Sequence, residues 1–223
     1  MIVVVDYHKG NLKSVERGIA AAGGEARIAD DAALIARADA VVLPGVGAFA
    51  DAARTMETLG QTAVIRERIA AGVPFLGICL GMHLLFEEGV EGAPDEDDEA
   101  STHNARGLAV LPGVVGAMPK ADAAGRAYKV PHVGWNTVEP AGGADAFASP
   151  LFAGIAPGEF FYFTHGFIAP EGPFAIGETT HSVTFPSAVQ YGETAFGVQF
   201  HPEKSSDAGA QLLRNFVNIV KGA

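Results

Sequence analysis

Cys79 lies in a sequence context that suits nucleophilic chemistry. It stands in Gly77-Ile-Cys-Leu-Gly81, where an apolar run from Val73 stops and a helix-like run to Phe86 begins. We interpret this stretch as a strand, a tight turn and a helix, because glycines permit the strained backbone that lifts a nucleophile above a sheet. At the first turn of a helix, free N–H groups and the positive end of the helix dipole stabilise a thiolate, the reactive form. The pattern predicts a cysteine nucleophile.

A candidate base and a carboxylate that could orient it follow far downstream. Residues 194–200 have the pattern of a buried strand, and His201 and Glu203 come directly after it. On an extended backbone, residues two apart point to the same side, so Glu203 can bind one imidazole nitrogen while the other faces a partner. A nucleophile, a base and an orienting acid from separate strand ends form a triad for acyl transfer.

Each of these residues also has a purely structural interpretation. A lone cysteine in a strand is commonly a small buried hydrophobic residue, and a histidine after a strand is commonly an ordinary loop residue. The glycines around Cys79 favour chemistry only if a base exists elsewhere, and His201 is a candidate for that base.

A glycine-rich loop, Pro44-Gly-Val-Gly-Ala-Phe-Ala50, follows the third predicted strand and superficially fits a dinucleotide-binding fingerprint. That interpretation is disfavoured, because the fingerprint belongs after a first strand and the sequence further along predicts a helix instead of a strand ending in an acid. The backbone N–H groups of the loop could instead face Cys79 and bind an oxyanion. A purely structural glycine turn is the alternative.

Together, Gly-Ile-Cys79-Leu-Gly-Met and Gly-Val-Gln-Phe-His201-Pro-Glu203-Lys-Ser resemble the motifs of the class I (triad) glutamine amidotransferases. Within that group, three further segments look like the glutaminase subunit of imidazole glycerol phosphate synthase: Asp6-Tyr-His-Lys-Gly-Asn-Leu12, Lys129-Val-Pro-His-Val-Gly-Trp-Asn136 and Phe161-Tyr-Phe-Thr-His165. The resemblance covers nearly the whole chain and is weakest between residues 87 and 106.

The resemblance implies that Cys79 attacks the side-chain amide of glutamine, that His201 passes a proton to the departing ammonia, and that Glu203 orients His201. Water then releases glutamate. No cofactor and no metal are expected, and the seven histidines show no paired ligand spacing.

In the resembled family, the loop that matches Gly45, Val46 and Gly47 forms the oxyanion site, so the N–H groups of Val46 and Leu80 are the candidate donors. The family usually has a substrate-contacting glutamine where this chain has His83. A neutral imidazole also offers one donor and one acceptor, and its protonation would link the site to pH near neutrality.

The resemblance also implies a partner, because free ammonia is mostly protonated and inert at neutral pH. In the family this partner is a (β/α)8-barrel cyclase, which receives the ammonia and makes imidazole glycerol phosphate and aminoimidazole carboxamide ribotide in histidine biosynthesis. The two subunits form a heterodimer. By motif position, the interface residues would be Asn11, Arg17, Trp135, Tyr162 and Lys204.

Three alternatives stay open. The chain could be the glutaminase subunit of another synthase, such as anthranilate synthase, although that group does not share the motif at residues 129–136. It could be a cysteine peptidase on a similar flavodoxin-like elbow, although a peptidase would not need His-Pro-Glu in this register. Because His83 replaces the usual glutamine, it could also be a weakened glutaminase retained as a structural partner.

Composition bounds the class of protein. With 223 residues and 48% hydrophobic content, we expect one domain over residues 1–223. The net charge is −11, but eight acidic residues between positions 87 and 99 contribute −8, which leaves −3 elsewhere. An acidic chain without a basic stripe argues against nucleic-acid binding. The single cysteine fits a reducing cytoplasm, and we expect neither a secretory signal nor a membrane span.

The order of predicted elements indicates an α/β fold with a doubly wound, mostly parallel, flavodoxin-like sheet and an additional small antiparallel sheet. Strands at 1–5, 25–29 and 40–43 alternate with helices up to the tight turn at Cys79. Residues 92–104 have the composition of a solvated loop. The later strands are short and close together, which suggests antiparallel pairing. They are predicted at 108–111, 114–118, 130–138, 160–164, 174–179, 187–191 and 194–200, before a last helix from Ser205.

Overall fold

The computed structural model describes residues 1–222. The strands are β1 (Ile2–Val5), β2 (Ala26–Ala29), β3 (Ala40–Gly45), β4 (Phe75–Cys79), β5 (Phe86–Gly89), β6 (Ala105–Arg106), β7 (Leu111–Ala117), β8 (His132–Pro140), β9 (Glu159–His165), β10 (Phe167–Ile168), β11 (Ala175–Thr180), β12 (Thr184–Tyr191) and β13 (Ala195–Val198). The helices are α1 (Leu12–Ala21), α2 (Ala32–Ile35), α3 (Phe49–Thr58), α4 (Gln61–Ala70), α5 (Leu80–His83) and α6 (Ser206–Gly222). Short 3-10 turns span Ala141–Gly143, Pro150–Phe152 and Pro202–Lys204.

The main sheet has nine strands in the order β2-β1-β3-β4-β13-β12-β11-β8-β9. The first five are parallel, and the last four continue the sheet in antiparallel pairs. Strand β1 is buried along its whole length, as its β-branched sequence predicts for a central parallel strand. The predicted α/β class with a doubly wound sheet is confirmed.

Side chains of β1 alternate between two cores on the two faces of the main sheet. Val3 and Val5 pack in a core that includes residues of α3 and α4, whereas Ile2 and Val4 pack in a core that includes residues of α1 and α6. This two-residue period is how a strand buries both faces between helical layers. The carboxyl ends of the parallel strands lie at one edge of this sheet, where α/β folds carry their sites.

The second sheet differs from the prediction in composition and direction. Its order is β10-β7-β5-β6, and it is mixed because β5 and β7 are parallel. Most of the later strands do not join it. Strand β12 forms a hairpin with β13 and so adds to the open edge of the main sheet, and β11, β8 and β9 follow by the same antiparallel pairing.

The helix that follows Cys79, α5, is shorter than predicted. It ends at His83, and β5 begins at Phe86 where a second helical turn was expected. Leu84, Leu85 and Phe86 are all buried. A continuous apolar run has no periodicity that distinguishes a buried helix from a buried strand, which explains the error.

The other boundaries follow the predictions within a few residues, except that only Leu111 of the predicted strand at 108–111 belongs to a strand, β7. The acidic segment at 92–104 contains turns and no helix or strand, as predicted for a loop. None of the helices in residues 1–222 is long and apolar enough to cross a membrane.

Candidate active site

Cys79 lies at a strained elbow between β4 and α5. Its φ is +54° and its ψ is −110°, a region that non-glycine residues rarely adopt. The neighbouring glycines are required by close packing. A Cβ atom on Gly77 would overlap the Gly81 carbonyl group, and one on Gly81 would overlap the Leu43 carbonyl group of β3. The predicted strand, turn and helix around Cys79 are confirmed.

His201 and Glu203 form a buried pair beside the elbow. Strand β13 runs parallel to β4 with Val198 opposite Ile78, and the chain then continues to His201. His201 Nδ1 donates a hydrogen bond to Glu203 Oε1 at 2.9 Å, since a carboxylate can only accept. The side chains are only 4% and 2% exposed. Glu203 reaches His201 from the 3-10 turn at Pro202–Lys204, whereas the sequence suggested a continuous extended backbone.

The pKa of His201 shows how these groups interact. Burial alone would lower it, but hydrogen bonds and charges from Cys79 and Glu203 outweigh burial and raise the pKa to about 9. Nε2 is buried and makes no hydrogen bond of good geometry within residues 1–222. At neutral pH, His201 is therefore an imidazolium whose remaining N–H is free to serve the nucleophile or a leaving group.

The predicted oxyanion loop lies next to the elbow. Gly45, the last residue of β3, pairs with Cys79, so Val46 and Gly47 emerge directly beside the sulfur. A pocket of about 250 Å³ lies here. Its lining includes Val46, Gly47, Cys79, Leu80, His83, Glu91 and residues 164–167. The structure thus brings the predicted nucleophile, loop and His83 to one pocket, with Gly45 immediately behind it.

Tyr7 packs behind the predicted oxyanion loop, a position that the sequence did not indicate. It is fully buried, and a Cβ atom on Gly45 would overlap its hydroxyl group. Burial, followed by the charge of Cys79, raises the pKa of Tyr7 far above its usual value, and the nearby Val46 N–H opposes that rise. The sequence signal that could have identified Tyr7 as a site residue was its place in the segment at residues 6–12, one of those that carry the family resemblance.

Glu91 is a second pocket residue that sequence reasoning missed, because it was counted only as one of the eight acidic residues at positions 87–99. Its Oε2 accepts a hydrogen bond from the Phe49 N–H at 3.2 Å. Burial is the main cause that raises the pKa of Glu91 to about 7, the Phe49 N–H opposes the rise, and Glu96 adds to it. The pocket therefore contains one carboxyl group that titrates near neutrality.

His83 lines the pocket and also contacts Gln199 behind it. Its Nε2 lies 2.6 Å from Gln199 Oε1, and Gln199 Nε2 lies 3.8 Å from Cys79 Sγ. Burial lowers the pKa of His83 to about 4, although the Gln199 hydrogen bond partly opposes this. The expectation that His83 titrates near neutrality is therefore wrong, because its ring is 3% exposed and stays neutral there.

The candidate interface residues fall into two groups. Trp135 and Tyr162 are paired across β8 and β9, with ring centroids 6.1 Å apart, and Lys204 Nζ lies 5.8 Å from the Tyr162 ring centroid. Asn11 and Arg17 are exposed at the start of α1 and along it. Helix α1 packs against the turn that carries Lys204, so both groups lie on the side of the molecule near Glu203.

No group of three or more His, Cys, Asp or Glu side chains in the described part of the chain could bind a metal ion. The three histidines nearest to one another, His132, His165 and His181, instead stack or bond to each other and to backbone carbonyls. The expectation of a metal-free site stays a prediction.

Comparison with known proteins identifies the family. The family model for glutamine amidotransferase class-I matches residues 3–220. The imidazole glycerol phosphate synthase subunit HisH of Moorella thermoacetica is 43% identical over 100% of this chain and 96% of its own length. The same subunit of Streptomyces avermitilis is 38% identical over 98% of this chain and 96% of its own length.

Solved structures support the fold. A crystal structure of a glutamine amidotransferase aligns with a TM-score of 0.70 over 99% of this chain and all of its own, at 17% identity. The structure of PurLQS from Thermotoga maritima aligns with a TM-score of 0.66 over 98% of this chain and 97% of its own, at 16% identity. From the family match and the close relatives, we conclude that this chain belongs to the class I glutamine amidotransferases, in the branch of the imidazole glycerol phosphate synthase HisH subunits.

Proposed function

We propose that residues 1–223 act as one glutamine amidotransferase domain, the glutaminase subunit of an imidazole glycerol phosphate synthase. The observation that carries the proposal is the strained Cys79 elbow, which lines one small pocket, together with the buried His201–Glu203 pair, whose imidazole interacts with Cys79. The pocket is below the size range of sites for drug-like ligands, and it suits a substrate the size of an amino acid.

The reaction follows from the positions of the three side chains. The Cys79 thiolate attacks the side-chain amide carbon of glutamine, and the carbonyl oxygen becomes an oxyanion. The His201 imidazolium then gives its Nε2 proton to the nitrogen, the C–N bond breaks, and ammonia leaves a glutamyl thioester on Cys79. Neutral His201 next takes a proton from water, the resulting hydroxide attacks the thioester, and glutamate departs. Glu203 keeps the His201 ring in the tautomer that both steps need.

The N–H groups of Val46 and Leu80 support the oxyanion proposal, because their residues flank Cys79 from two neighbouring strand ends. An N–H group aimed at the developing oxyanion stabilises its negative charge. Tyr7 lies behind Val46 and restricts the position of the loop.

Glu91 is suited to the other end of the substrate. Glutamine carries a positive α-ammonium group, and Glu91 is the pocket's carboxyl group. In its ionised form, Glu91 would form a charge-assisted hydrogen bond with that ammonium group. Because its pKa is about 7, this contact would strengthen as the pH rises through neutrality.

The partner in this proposal is a (β/α)8-barrel cyclase that takes up the ammonia. An exposed apolar patch on the outer face of β8 and β9 supports a docking surface. Its members are Val133, Trp135, Phe160 and Tyr162, three of which are more than half exposed. Aromatic side chains of this kind dominate the energy of many protein interfaces, and Lys204 adds a positive charge at the edge of the patch.

The test measures glutamine hydrolysis by the purified chain, alone and with the barrel cyclase and its nucleotide substrate. We expect the partner to raise turnover, and Trp135→Ala to weaken the complex at least about tenfold, the scale of an interface hot spot. Tyr191→Ala is the control, since Tyr191 is similarly exposed (48%) on β12. A complex that makes product from ammonium salts but never from glutamine would instead identify a weakened glutaminase. Failure to bind the cyclase would refute the proposed partner.

A further inference from the structure

Three buried polar groups form a chain that ends on the nucleophile. His83 Nε2 is 2.6 Å from Gln199 Oε1, and Gln199 Nε2 is 3.8 Å from Cys79 Sγ. Gln199 has no exposed surface, and His83 is 3% exposed. Cys79 and Gln199 are distant in sequence, but β4 and β13 are neighbours in the sheet. Val198 pairs with Ile78, which puts Gln199 beside Cys79.

The direction of each hydrogen bond is fixed by chemistry. A thiolate has no proton and only accepts, so the Gln199 amide nitrogen must face the sulfur. The Gln199 carbonyl oxygen then faces His83, whose Nε2 must carry a proton to donate. The opposite rotation of the amide would place its oxygen against the thiolate and its NH2 group against His83, which could then accept only with its own proton on Nδ1. A neutral His83 with its proton on Nε2 therefore selects the useful orientation.

We propose that Gln199 is a catalytic hydrogen-bond donor to the Cys79 thiolate and that His83 is the positioning residue that fixes it. This inference rests on the proposed role of Cys79 as the nucleophile. It also gives His83 a task other than substrate contact: its Nε2 points to Gln199, so the position acts on the nucleophile. A glutamine at position 83 could donate the same hydrogen bond through its amide group.

The backbone supports this role of Gln199. Its N–H donates to the Ser187 carbonyl at 2.9 Å, which fixes the start of the side chain next to β12. The sulfur has a second contact, with the Thr164 carbonyl at 3.9 Å, which suits a thiol that donates. Gln199 therefore favours the thiolate form, whereas Thr164 favours the thiol form.

Other groups around Cys79 also affect its ionisation. His201 supplies a positive charge, and the buried Tyr7 lies on the other side of the oxyanion loop. Glu91 and His165 line the same pocket as Cys79. All four remain unchanged in the variants below, so differences between these variants report on Gln199 and His83.

The experiment measures the rate of Cys79 alkylation by iodoacetamide against pH in the full chain, which has a single cysteine. The midpoint of that profile reports thiolate formation and does not depend on glutamine turnover. We expect Gln199→Leu and the near-isosteric Gln199→Met to raise the midpoint by about one unit, the scale of one charge-assisted hydrogen bond. If the glutaminase proposal fails, this shift will remain; an unshifted midpoint in a folded Gln199 variant overturns the present inference alone.

The role of His83 has its own test. We expect His83→Leu to raise the midpoint in the same direction and to lower kcat while KM for glutamine stays within about twofold, and His83→Gln to restore both. In the Gln199→Leu background, His83→Leu should add nothing, because the two residues act through one contact. A rise in KM alone, or equal shifts in both backgrounds, would show that His83 acts independently of Gln199.

Discussion

The negative charge of Glu203 should control the protonation of His201, and Glu203→Gln tests this without changing the size of the side chain. The variant retains an oxygen that can accept the Nδ1–H bond. Because the two side chains are 4% and 2% exposed, water screens their interaction little. A hydrogen bond to a charged group stabilises by about 1.5–3 kcal/mol and a neutral one by about 1 kcal/mol. The loss of about 0.5–2 kcal/mol lowers the His201 pKa by about one unit.

This change has a defined effect on stability. The pKa of His201 is about 9 in the folded protein and 6.5 in the reference state, so proton binding stabilises the fold fully below pH 6.5. That stabilisation is lost as the pH rises through about 9. The difference of about 2.5 units corresponds to about 3 kcal/mol at most. In Glu203→Gln, the loss of stability between low and high pH should be smaller by about 0.5–2 kcal/mol.

The assay is urea unfolding at a pH below 6.5 and at a pH above 9, for the parent chain and for Glu203→Gln. Other groups that titrate in this range are common to both proteins, so the difference between their pH-dependent losses isolates the pair. Glu193→Gln is the matched control, because Glu193 is exposed in the turn after β12. Equal losses in the parent chain and Glu203→Gln would refute the claim that Glu203 stabilises the imidazolium.

Two further predictions concern the pocket and the elbow. Glu91→Gln should raise KM for glutamine about tenfold with little change in kcat. It should also abolish the fall in KM that we expect of the parent chain as the pH rises through about 7, and an unchanged KM profile would exclude Glu91 from substrate binding. Gly81→Ala should lower the unfolding free energy by about 3 kcal/mol or more, because the new Cβ overlaps the Leu43 carbonyl. Denaturant unfolding checks this against Gly222→Ala, where a Cβ has open space, and equal small losses would contradict it.

The sequence predicted the elbow and the pair at positions 201 and 203 because both depend on local rules. Glycine spacing around Cys79 determines whether the backbone can turn so tightly, and that spacing is visible in the chain. His201 and Glu203 are close in sequence, so any compact conformation keeps them within reach. Even so, the turn that joins them differs from the extended form expected.

The residues that were missed depend on long-range pairing. Gln199 reaches Cys79 only because β13 lies beside β4, and Glu91 reaches the pocket only because β5 follows the short α5. Strand order is not encoded in local periodicity. The same limit explains the second sheet, since short strands with turns between them predict antiparallel pairing but not which sheet edge they join. The pKa of His83 likewise depends on burial, which arises from contacts remote in sequence.

The measurement that tests the central claim most directly is the activity of Cys79→Ser in complex with the proposed barrel cyclase, assayed once with glutamine and once with ammonium salt. Serine is nearly isosteric with cysteine, but its hydroxyl is far less acidic than the thiol. We predict that glutamine-dependent turnover falls by about 10³-fold or more while ammonium-dependent turnover stays at the parent level. Glutamine-dependent turnover in Cys79→Ser close to that of the parent chain would contradict the assignment of Cys79 as the nucleophile.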